Sequence, residues 1–290
     1  MNRPRLPDFV IIGAMKAATS TLHMQLAAQP GIFMATPKEP NFFGNPDRWA
    51  LGLGWYQGLF AAARTDDLCG EASTHYTKLP TLPDALPRLR DTIPDARLIY
   101  MMRHPIERLV SHYSHGWLER SIDGPIETAI EHHPELIDYG RYAMQIAPWI
   151  TAFGRDAILP VFAERLAIAS QQELERACRH IGYAGEARWD ESIARQNVSG
   201  ERLRDSPWRD RLVDHPLVGA IRRRLVPRSV RNRIKRHWQM REQPALSDAL
   251  HRHLTGIFDH DLADLGRLLG TPLDCARFRD VVRERPLSWA

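Results

Sequence analysis

The chain contains 290 residues, of which 43% are hydrophobic and 26% charged, and this composition excludes a disordered or collagen-like protein. Its 39 basic and 35 acidic residues give a formal charge of +4, which favours an anionic ligand without requiring nucleic acid. No apolar run approaches the ~20 residues of a membrane-spanning helix, and the N-terminus lacks a signal-peptide pattern. We therefore expect a cytoplasmic protein with no membrane span and no nucleic-acid partner.

Strands and helices alternate along most of the chain. Apolar and β-branched runs predict five strands, at Phe9–Ile12, Ile32–Met34, Asp67–Cys69, Arg97–Met102 and Ala157–Phe162. Apolar residues at helical spacing predict the principal helices between and after them, at Thr19–Ala28, Ile106–Leu118, Tyr142–Phe153 and Gln172–Ile181. This order predicts an α/β fold, with a central parallel sheet flanked by helices and a phosphate-binding loop after the first strand. We expect a single domain over 1–290, with a nucleotide-binding core at about 8–165.

The C-terminal part, about 166–290, is predicted to be helical and rich in arginine. Nine of its basic residues lie between Arg222 and Arg241, where the sequence has no carboxylate. This stretch forms either a basic lid over an anionic ligand or a solvated surface, and the solvated surface is the favoured interpretation. After it, Ser247 and Gly270 bound a long amphipathic helix as N-cap and C-cap.

The three cysteines, Cys69, Cys178 and Cys275, are far apart and lack metal-ligand spacing. We expect reduced thiols and no metal site.

The loop after the first strand, Gly13–Thr21, has the composition of an anion cradle. Small residues allow close approach of the backbone, Lys16 adds a cation, and three successive hydroxyl residues open the next helix. Lys16 precedes the first hydroxyl by three residues, so the magnesium-binding pattern of nucleoside triphosphatases is absent. The alternative interpretation is an ordinary strand-to-helix turn with a surface lysine.

A second anion contact is predicted where the fourth strand ends. Arg103 can donate two hydrogen bonds to a phosphate, and Ser111, about two turns along the next helix, can donate another. The alternative is that Arg103 pairs with a carboxylate and Ser111 faces solvent.

Taken together, these motifs resemble the sulfotransferases that use 3′-phosphoadenosine 5′-phosphosulfate (PAPS), and in particular bacterial relatives of the heparan-sulfate type. The similar segments occur in the same order as in that family: the loop Gly13–Thr21, Pro37–Phe43, Gly70–Tyr76 and Arg97–Ser111. The resemblance implies a PAPS-dependent enzyme that needs no metal and transfers a sulfuryl group to a hydroxyl or amine of a small molecule or glycan. It also implies site residues: Lys16 and Glu39 as catalytic groups, with Lys16, Ala17, Ala18, Thr19, Ser20, Thr21, Arg103 and Ser111 binding the donor.

The general base is the least determined of these roles. Glu39 matches the glutamate that serves as base in the heparan-sulfate type, but it could instead pair with Lys38 or Lys16. Glu71, His75 and His104 are rival bases.

Two departures from the heparan-sulfate pattern weaken a polysaccharide acceptor. Asn41 stands where that type often has histidine, and Ala72 replaces a lysine that reaches toward the reacting sulfate. The lost cation leaves Lys16 with more of the charge compensation, unless an arginine after Glu201 folds over the site. Two other functions stay open: a P-loop kinase, and a non-enzymatic protein that binds nucleotides or polyanions.

Overall fold

A five-stranded parallel sheet organises the part of the chain that the computed structural model describes, residues 5–196 and 244–290. The strands are β1 (Phe9–Gly13), β2 (Ile32–Met34), β3 (Leu68–Ala72), β4 (Arg97–Met102) and β5 (Ile158–Phe162), and they lie in the order β2-β3-β1-β4-β5. Every neighbouring pair is parallel. The central strand β1 is buried along its whole length, as expected for a sheet covered on both faces. The predicted α/β fold is confirmed.

Helices connect the strands and continue after them. They are α1 (Thr19–Ala27), α2 (Pro46–Ala50), α3 (Gly52–Gly58), α4 (Ala85–Thr92), α5 (Pro105–Glu119), α6 (Ile126–His132), α7 (Glu135–Asp138), α8 (Tyr142–Phe153), α9 (Ala163–Ile168), α10 (Ser170–His180), α11 (Glu191–Gln196), α12 (Asp248–Leu269) and α13 (Phe278–Glu284). The helices predicted at α1, α5, α8 and α10 are confirmed to within about two residues at each end, the usual uncertainty of such bounds. None of the described helices is long and apolar enough to cross a membrane.

The third strand differs from its predicted bounds. It begins one residue later and runs on through Gly70 to Ala72, although glycine normally weakens a strand. A Cβ at Gly70 would lie 2.1 Å from Cζ of Phe9, so the glycine is required for the close approach of the Phe9 ring. Glu71 therefore lies within the strand.

The C-terminal helix α12 has the predicted caps and joins the core. The Ser247 hydroxyl accepts a hydrogen bond from the amide of Leu250, and Gly270 adopts the left-handed conformation that ends the helix. Asp261 of α12 accepts hydrogen bonds from the first-turn amides of α8, where a negative charge is stabilised by the helix dipole. The arginine-rich stretch between Arg222 and Arg241 lies outside the described residues.

Because all five strands are parallel, the loops that follow β1, β2, β3 and β4 leave the sheet at one edge. These loops carry the candidate site.

Candidate active site

The phosphate loop joins β1 to α1 in a conformation held by its own backbone. Lys16 and Ala18 both have φ near +66°, at 67° and 65°, and the Ala14 amide donates to the carbonyl of Met101 on β4 at 2.7 Å. Left-handed backbone at residues other than glycine costs free energy. The hydrogen bond to β4 helps to hold the loop in this conformation.

The N-terminus of α1 provides free hydrogen-bond donors. Its N-cap is Ala18, which has no polar side chain, and the first turn contains no acidic residue. Of the five predicted amide donors, those of Ala17 and Thr21 already donate within the loop. In the described part of the chain, the amides of Ala18, Thr19 and Ser20 have no main-chain acceptor. Three amides at a helix N-terminus, where the dipole is positive, form a site for an anion.

Glu39 lies in the loop after β2, held against the end of β3. Its amide donates to the carbonyl of Ala72 at 3.0 Å, and its own φ of 61° lies in the left-handed region. Oε1 accepts from Nζ of Lys38 at 2.7 Å, and Oε2 accepts from Oγ1 of Thr74 at 2.9 Å. Nδ1 of His75 lies 3.4 Å from Oε2. The pairing with Lys38 that the sequence left open is therefore present.

These contacts determine the charge of Glu39. Partial burial acts to raise the pKa of its carboxyl group, but the neighbouring His75, Lys38 and Thr74 lower the pKa further, to well below its ordinary value of 4.5. Glu39 is consequently ionised at neutral pH.

Glu71, the first rival base, is fully buried in β3. Its carboxylate accepts hydrogen bonds from the hydroxyls of Tyr56 at 2.9 Å, Tyr76 at 2.6 Å and Ser73 at 2.7 Å. Burial raises the pKa of Glu71 to about 7, although these hydrogen bonds oppose the shift. This carboxylate is thus enclosed by protein donors in the core.

The two histidine rivals differ in accessibility. His104 is buried, its Nε2 lies 3.0 Å from the carbonyl of Cys275, and its ring packs on Phe278. Burial also lowers the pKa of His104, so it is a neutral packing residue. His75 is 37% exposed along its side chain and lies beside Glu39, where it can act on that carboxylate.

Arg103 and Ser111, the predicted 3′-phosphate contacts, lie at the end of β4 and on α5. Nε and Nη2 of Arg103 donate to Oε2 of Glu107 at 3.2 and 3.0 Å. Arg279 of α13 contacts the other oxygen of Glu107. The carboxylate pairing allowed by the sequence is thus present, and Glu107 positions the guanidinium at the end of the strand. Ser111 is half-buried.

Two further residues of this edge were not predicted from the sequence. His115 lies on α5 one turn after Ser111, and its Nε2 is 3.1 Å from Oε1 of Glu119. Burial lowers the pKa of His115, and Lys16, Glu119, Lys78 and Glu39 all act on it. The charges of the phosphate loop and of Glu39 therefore meet around this helix. The spacing of Ser111 and His115 at i and i+4 was the signal available in the sequence.

Lys78 is the second of these residues. It lies in the loop between β3 and α4, and it is only 8% exposed. It lies in the same electrostatic neighbourhood as Lys16, since both lysines lower the pKa of His112 and His115 on α5. The chain has only four lysines, and two of them, Lys16 and Lys78, act on the same histidines of α5. Of the arginines after Glu201, considered as a substitute for the missing cation at position 72, those before residue 244 lie outside the described residues.

Within residues 5–196 and 244–290, no group of three or more His, Cys, Asp or Glu side chains is arranged to hold a metal ion. The three cysteines are buried and unpaired, as predicted.

Comparison with known proteins identifies sulfotransferases that are similar to this chain. Residues 48–187 match the model of the Sulfotransferase family. The chain is 36% identical over 132 residues to the membrane-associated sulfotransferase kil1 of Dictyostelium discoideum, covering 44% of this chain and 27% of that protein. It is 28% identical over 194 residues to heparan sulfate glucosamine 3-O-sulfotransferase 6 of Mus musculus, covering 62% of this chain and 54% of the relative. The chain thus spans between a quarter and about half of these relatives.

A solved structure extends the comparison to almost the whole fold. The crystal structure of a sulfotransferase from Alicyclobacillus acidocaldarius superimposes with a TM-score of 0.66 at 22% identity, covering 95% of this chain and 99% of that one. The α/β architecture is shared. Together with the family match, these similarities confirm the resemblance that the four motifs indicated.

Proposed function

We propose that this chain, which is similar to sulfotransferases in sequence, transfers a sulfuryl group from PAPS to a hydroxyl or amine of a small molecule or glycan. The observation that carries the proposal is that the loop of Lys16 and the loop of Glu39 leave the parallel sheet at the same edge, where both charges act on His115 of α5. A cationic loop that can hold a leaving phosphate and an ionised carboxylate that can take a proton thereby lie at one edge of the sheet. Transfer to a neutral acceptor requires both groups.

The described residues fit such a donor. The uncapped first turn of α1 offers the amides of Ala18, Thr19 and Ser20 to the 5′-phosphosulfate, and Lys16 adds a charge beside them. Arg103 and Ser111 would hold the 3′-phosphate from the end of β4 and from α5. The guanidinium has donors beyond the two that Glu107 takes, so it can bind a phosphate while still positioned by that carboxylate.

In the proposed reaction the donor supplies an activated sulfuryl group, and adenosine 3′,5′-bisphosphate (PAP) is the leaving product. The acceptor oxygen or nitrogen bonds to sulfur as the bond from sulfur to the phosphate oxygen breaks, and the acceptor proton passes to Glu39. Lys16 stabilises the negative charge that develops on the departing phosphate.

Glu39 is ionised but weakly basic while Lys38 holds Oε1. Its basicity rises when the Lys38 ammonium turns toward the anionic donor, because removing a paired cation raises the pKa of a carboxyl group. In this proposal, donor binding therefore raises the pKa of Glu39 and makes it a stronger base.

The identity of the acceptor and the location of the protein are parts of the proposal as well. The names of the heparan sulfate relatives indicate a glycan for those enzymes, and a hydroxyl of a sugar or of a smaller molecule is the corresponding acceptor here. Three buried, unpaired thiols support a reducing compartment such as the cytoplasm. We also propose that the chain works as one domain.

The test of the function is thermal unfolding with PAP and with AMP. A saturating ligand at about 100 times its dissociation constant stabilises by about 2.7 kcal/mol, which corresponds to a rise of roughly 5 °C in the melting temperature of a protein of this size. We expect that rise with PAP and little with AMP, because only PAP carries the 3′-phosphate.

The same experiment separates the alternatives. A kinase would respond to ATP with Mg²⁺ and not to PAP. A polyanion-binding protein would bind heparin with a steep salt dependence and would not distinguish PAP from AMP. An equal response to PAP and AMP would refute the proposed donor.

A further inference from the structure

Lys78 has the burial of a core residue and the charge of a surface residue. It is 8% exposed, and its Nζ lies 5.4 Å from the centre of the Tyr139 ring. No ion pair in the described part of the chain includes it. An ammonium group that is nearly buried without a carboxylate partner costs free energy. Such a charge is retained where function requires it, since an apolar side chain of the same length would be more stable there.

The backbone on both sides of Lys78 is fixed. Thr77 donates from Oγ1 to the carbonyl of Ile12 at 3.0 Å, directly before the phosphate loop begins. On the other side, Gln145 of α8 accepts from the amide of Leu79 and donates to its carbonyl, both at 2.8 Å. Lys78 is therefore held in place between the start of the phosphate loop and α8.

The ring of Tyr139 locates Lys78 against α5. The same ring stacks on His112 of α5, with the ring centres 5.7 Å apart. Lys16 and Lys78 both lower the pKa of His112 and of His115, which lies one turn further along α5. The two lysines, which lie in different loops, thus act electrostatically on the same two histidines of α5.

Lys78 shares its surroundings with a second buried cation. Burial lowers the pKa of Lys78 to about 8, Glu39 and Glu119 act to raise it, and Arg108 acts to lower it. Arg108 is itself fully buried, and its guanidinium contacts the carbonyl of Leu136 rather than a carboxylate. An anion bound beside Lys78 and Arg108 would offset the cost of burying these two cations.

We propose that Lys78 contacts the sulfuryl group of the donor and stabilises the negative charge on its oxygens during transfer. The group that reacts must lie between the phosphate loop, which holds the leaving phosphate, and Glu39, which takes the acceptor proton. Thr77, the neighbour of Lys78, is hydrogen-bonded to the start of that loop, and Lys78 interacts electrostatically with Glu39, so we place Lys78 between the two. This assignment rests on the proposed function and adds a substrate-contacting residue to it.

The test compares PAPS and PAP, because only PAPS carries the sulfuryl group. In Lys78→Met of the full chain, which keeps an unbranched side chain against Tyr139, we expect PAPS affinity to fall about tenfold, the usual effect of one charge-assisted hydrogen bond. PAP affinity should stay within about twofold of wild type, and kcat on the best acceptor should fall at least about tenfold. The melting temperature should be unchanged or higher, whereas a merely structural lysine would lower it.

Two other variants complete the design. Arg90 of α4 is a cation that lies 5.2 Å from the ring of Phe153. Arg90→Met should leave both affinities and kcat unchanged. Lys78→Arg keeps the charge and should retain more of the preference for PAPS over PAP than Lys78→Met, which guards against a folding defect in one variant.

Each remaining outcome overturns the assignment in a recognisable way. An unchanged ratio of PAPS to PAP affinity in Lys78→Met would show that Lys78 does not touch the sulfuryl group. A rise in acceptor KM alone would place the lysine on the acceptor instead. If the wild-type protein itself fails to prefer PAP over AMP, the proposed function is wrong and the role of Lys78 is lost with it.

Discussion

Two glutamates at the same edge of the sheet lie in opposite surroundings. Glu39, in the loop after β2, is partly exposed and contacts the cation of Lys38. Glu71, at the end of β3, is fully buried and accepts only from neutral hydroxyls. The pKa of Glu39 is lowered and that of Glu71 is raised to about 7. The cation beside Glu39 offsets the cost of burying its charge, whereas the hydroxyls around Glu71 do not offset that cost fully.

The two regions are nonetheless connected. The Ser73 hydroxyl donates to Glu71 at 2.7 Å and accepts from the amide of Asn41 at 3.0 Å. Asn41, like Glu39, has a left-handed backbone, with φ of 53°. The buried glutamate thus orders the hydroxyl that holds the loop of the exposed glutamate. We infer that Glu71 supports the structure on which Glu39 does chemistry.

The largest expected effect comes from replacing Glu39, the proposed general base. Glu39→Gln keeps the size of the side chain but lacks a basic carboxylate, and loss of a general base usually costs ~10² to 10⁴ in rate. We expect kcat to fall by that amount while PAP affinity, measured by calorimetry, stays nearly normal. Lys16→Ala is the matched comparison and should reduce both, because in the proposed reaction Lys16 contacts the donor in the ground state and in the transition state.

A near-normal kcat in Glu39→Gln would transfer the base role to a neighbour. His75 is the first candidate by position, since its Nδ1 is 3.4 Å from the Glu39 carboxylate. A His75→Ala variant with a large loss of kcat would then identify it.

Replacing the buried glutamate should act on stability instead. Glu71→Ala leaves the hydroxyls of Tyr56, Tyr76 and Ser73 without their acceptor, and an unsatisfied buried group costs about 1 to 3 kcal/mol. We expect urea unfolding to show a loss of at least about 3 kcal/mol. In the folded fraction, kcat should fall less than in Glu39→Gln. A variant of unchanged stability but abolished turnover would reverse the assignment of the two glutamates.

The sequence predicted the phosphate loop and the strands that frame it because these features are local. A β-branched run, small residues and Lys16 are adjacent in the chain, and their spacing predicts strand, loop and helix directly. The position of Glu39 could be predicted from its motif for the same reason. The end of β3 was placed too early, because the need for Gly70 is created by the Phe9 ring of another strand.

The contributions of Glu71 and Lys78 could not be predicted in that way. Burial of Glu71 depends on Tyr56 and Tyr76, which reach it from a helix and from the loop after β3. The grouping of Lys78 with Lys16 depends on α5, which starts about 27 residues after Lys78 in the chain. Such long-range contacts leave no periodic pattern in the sequence.

A third carboxylate, Glu107, extends the comparison to the 3′-phosphate contact. It is bound by Arg103 and Arg279, so its pKa is lowered by two cations although burial acts to raise it. Arg103→Ala should weaken PAP binding at least about tenfold, since a charge-assisted hydrogen bond contributes about 1.5 to 3 kcal/mol. Ser111→Ala should have a smaller effect, and AMP affinity should not change in either variant. Unchanged PAP affinity in a folded Arg103→Ala protein would remove this residue from the donor site.

The smallest expected effect is a difference in the pH dependence of stability. A carboxyl group with a lowered pKa stabilises the fold above its ordinary value of 4.5, and this contribution is lost as the pH falls through the folded pKa. A raised pKa changes stability in the opposite direction: Glu71 holds its proton in the folded state between pH 4.5 and about 7, so its contribution to stability declines as the pH rises through that range. The slope from one such group is at most about 1.4 kcal/mol per pH unit.

Urea unfolding at a series of pH values measures this difference. For Glu71→Gln, the curve of stability against pH should be flatter between pH 4.5 and 7 than for wild type. For Glu39→Gln, the loss of stability below pH 4.5 should be smaller. Parallel curves for Glu71→Gln and wild type would show that Glu71 does not carry the proton that its burial predicts.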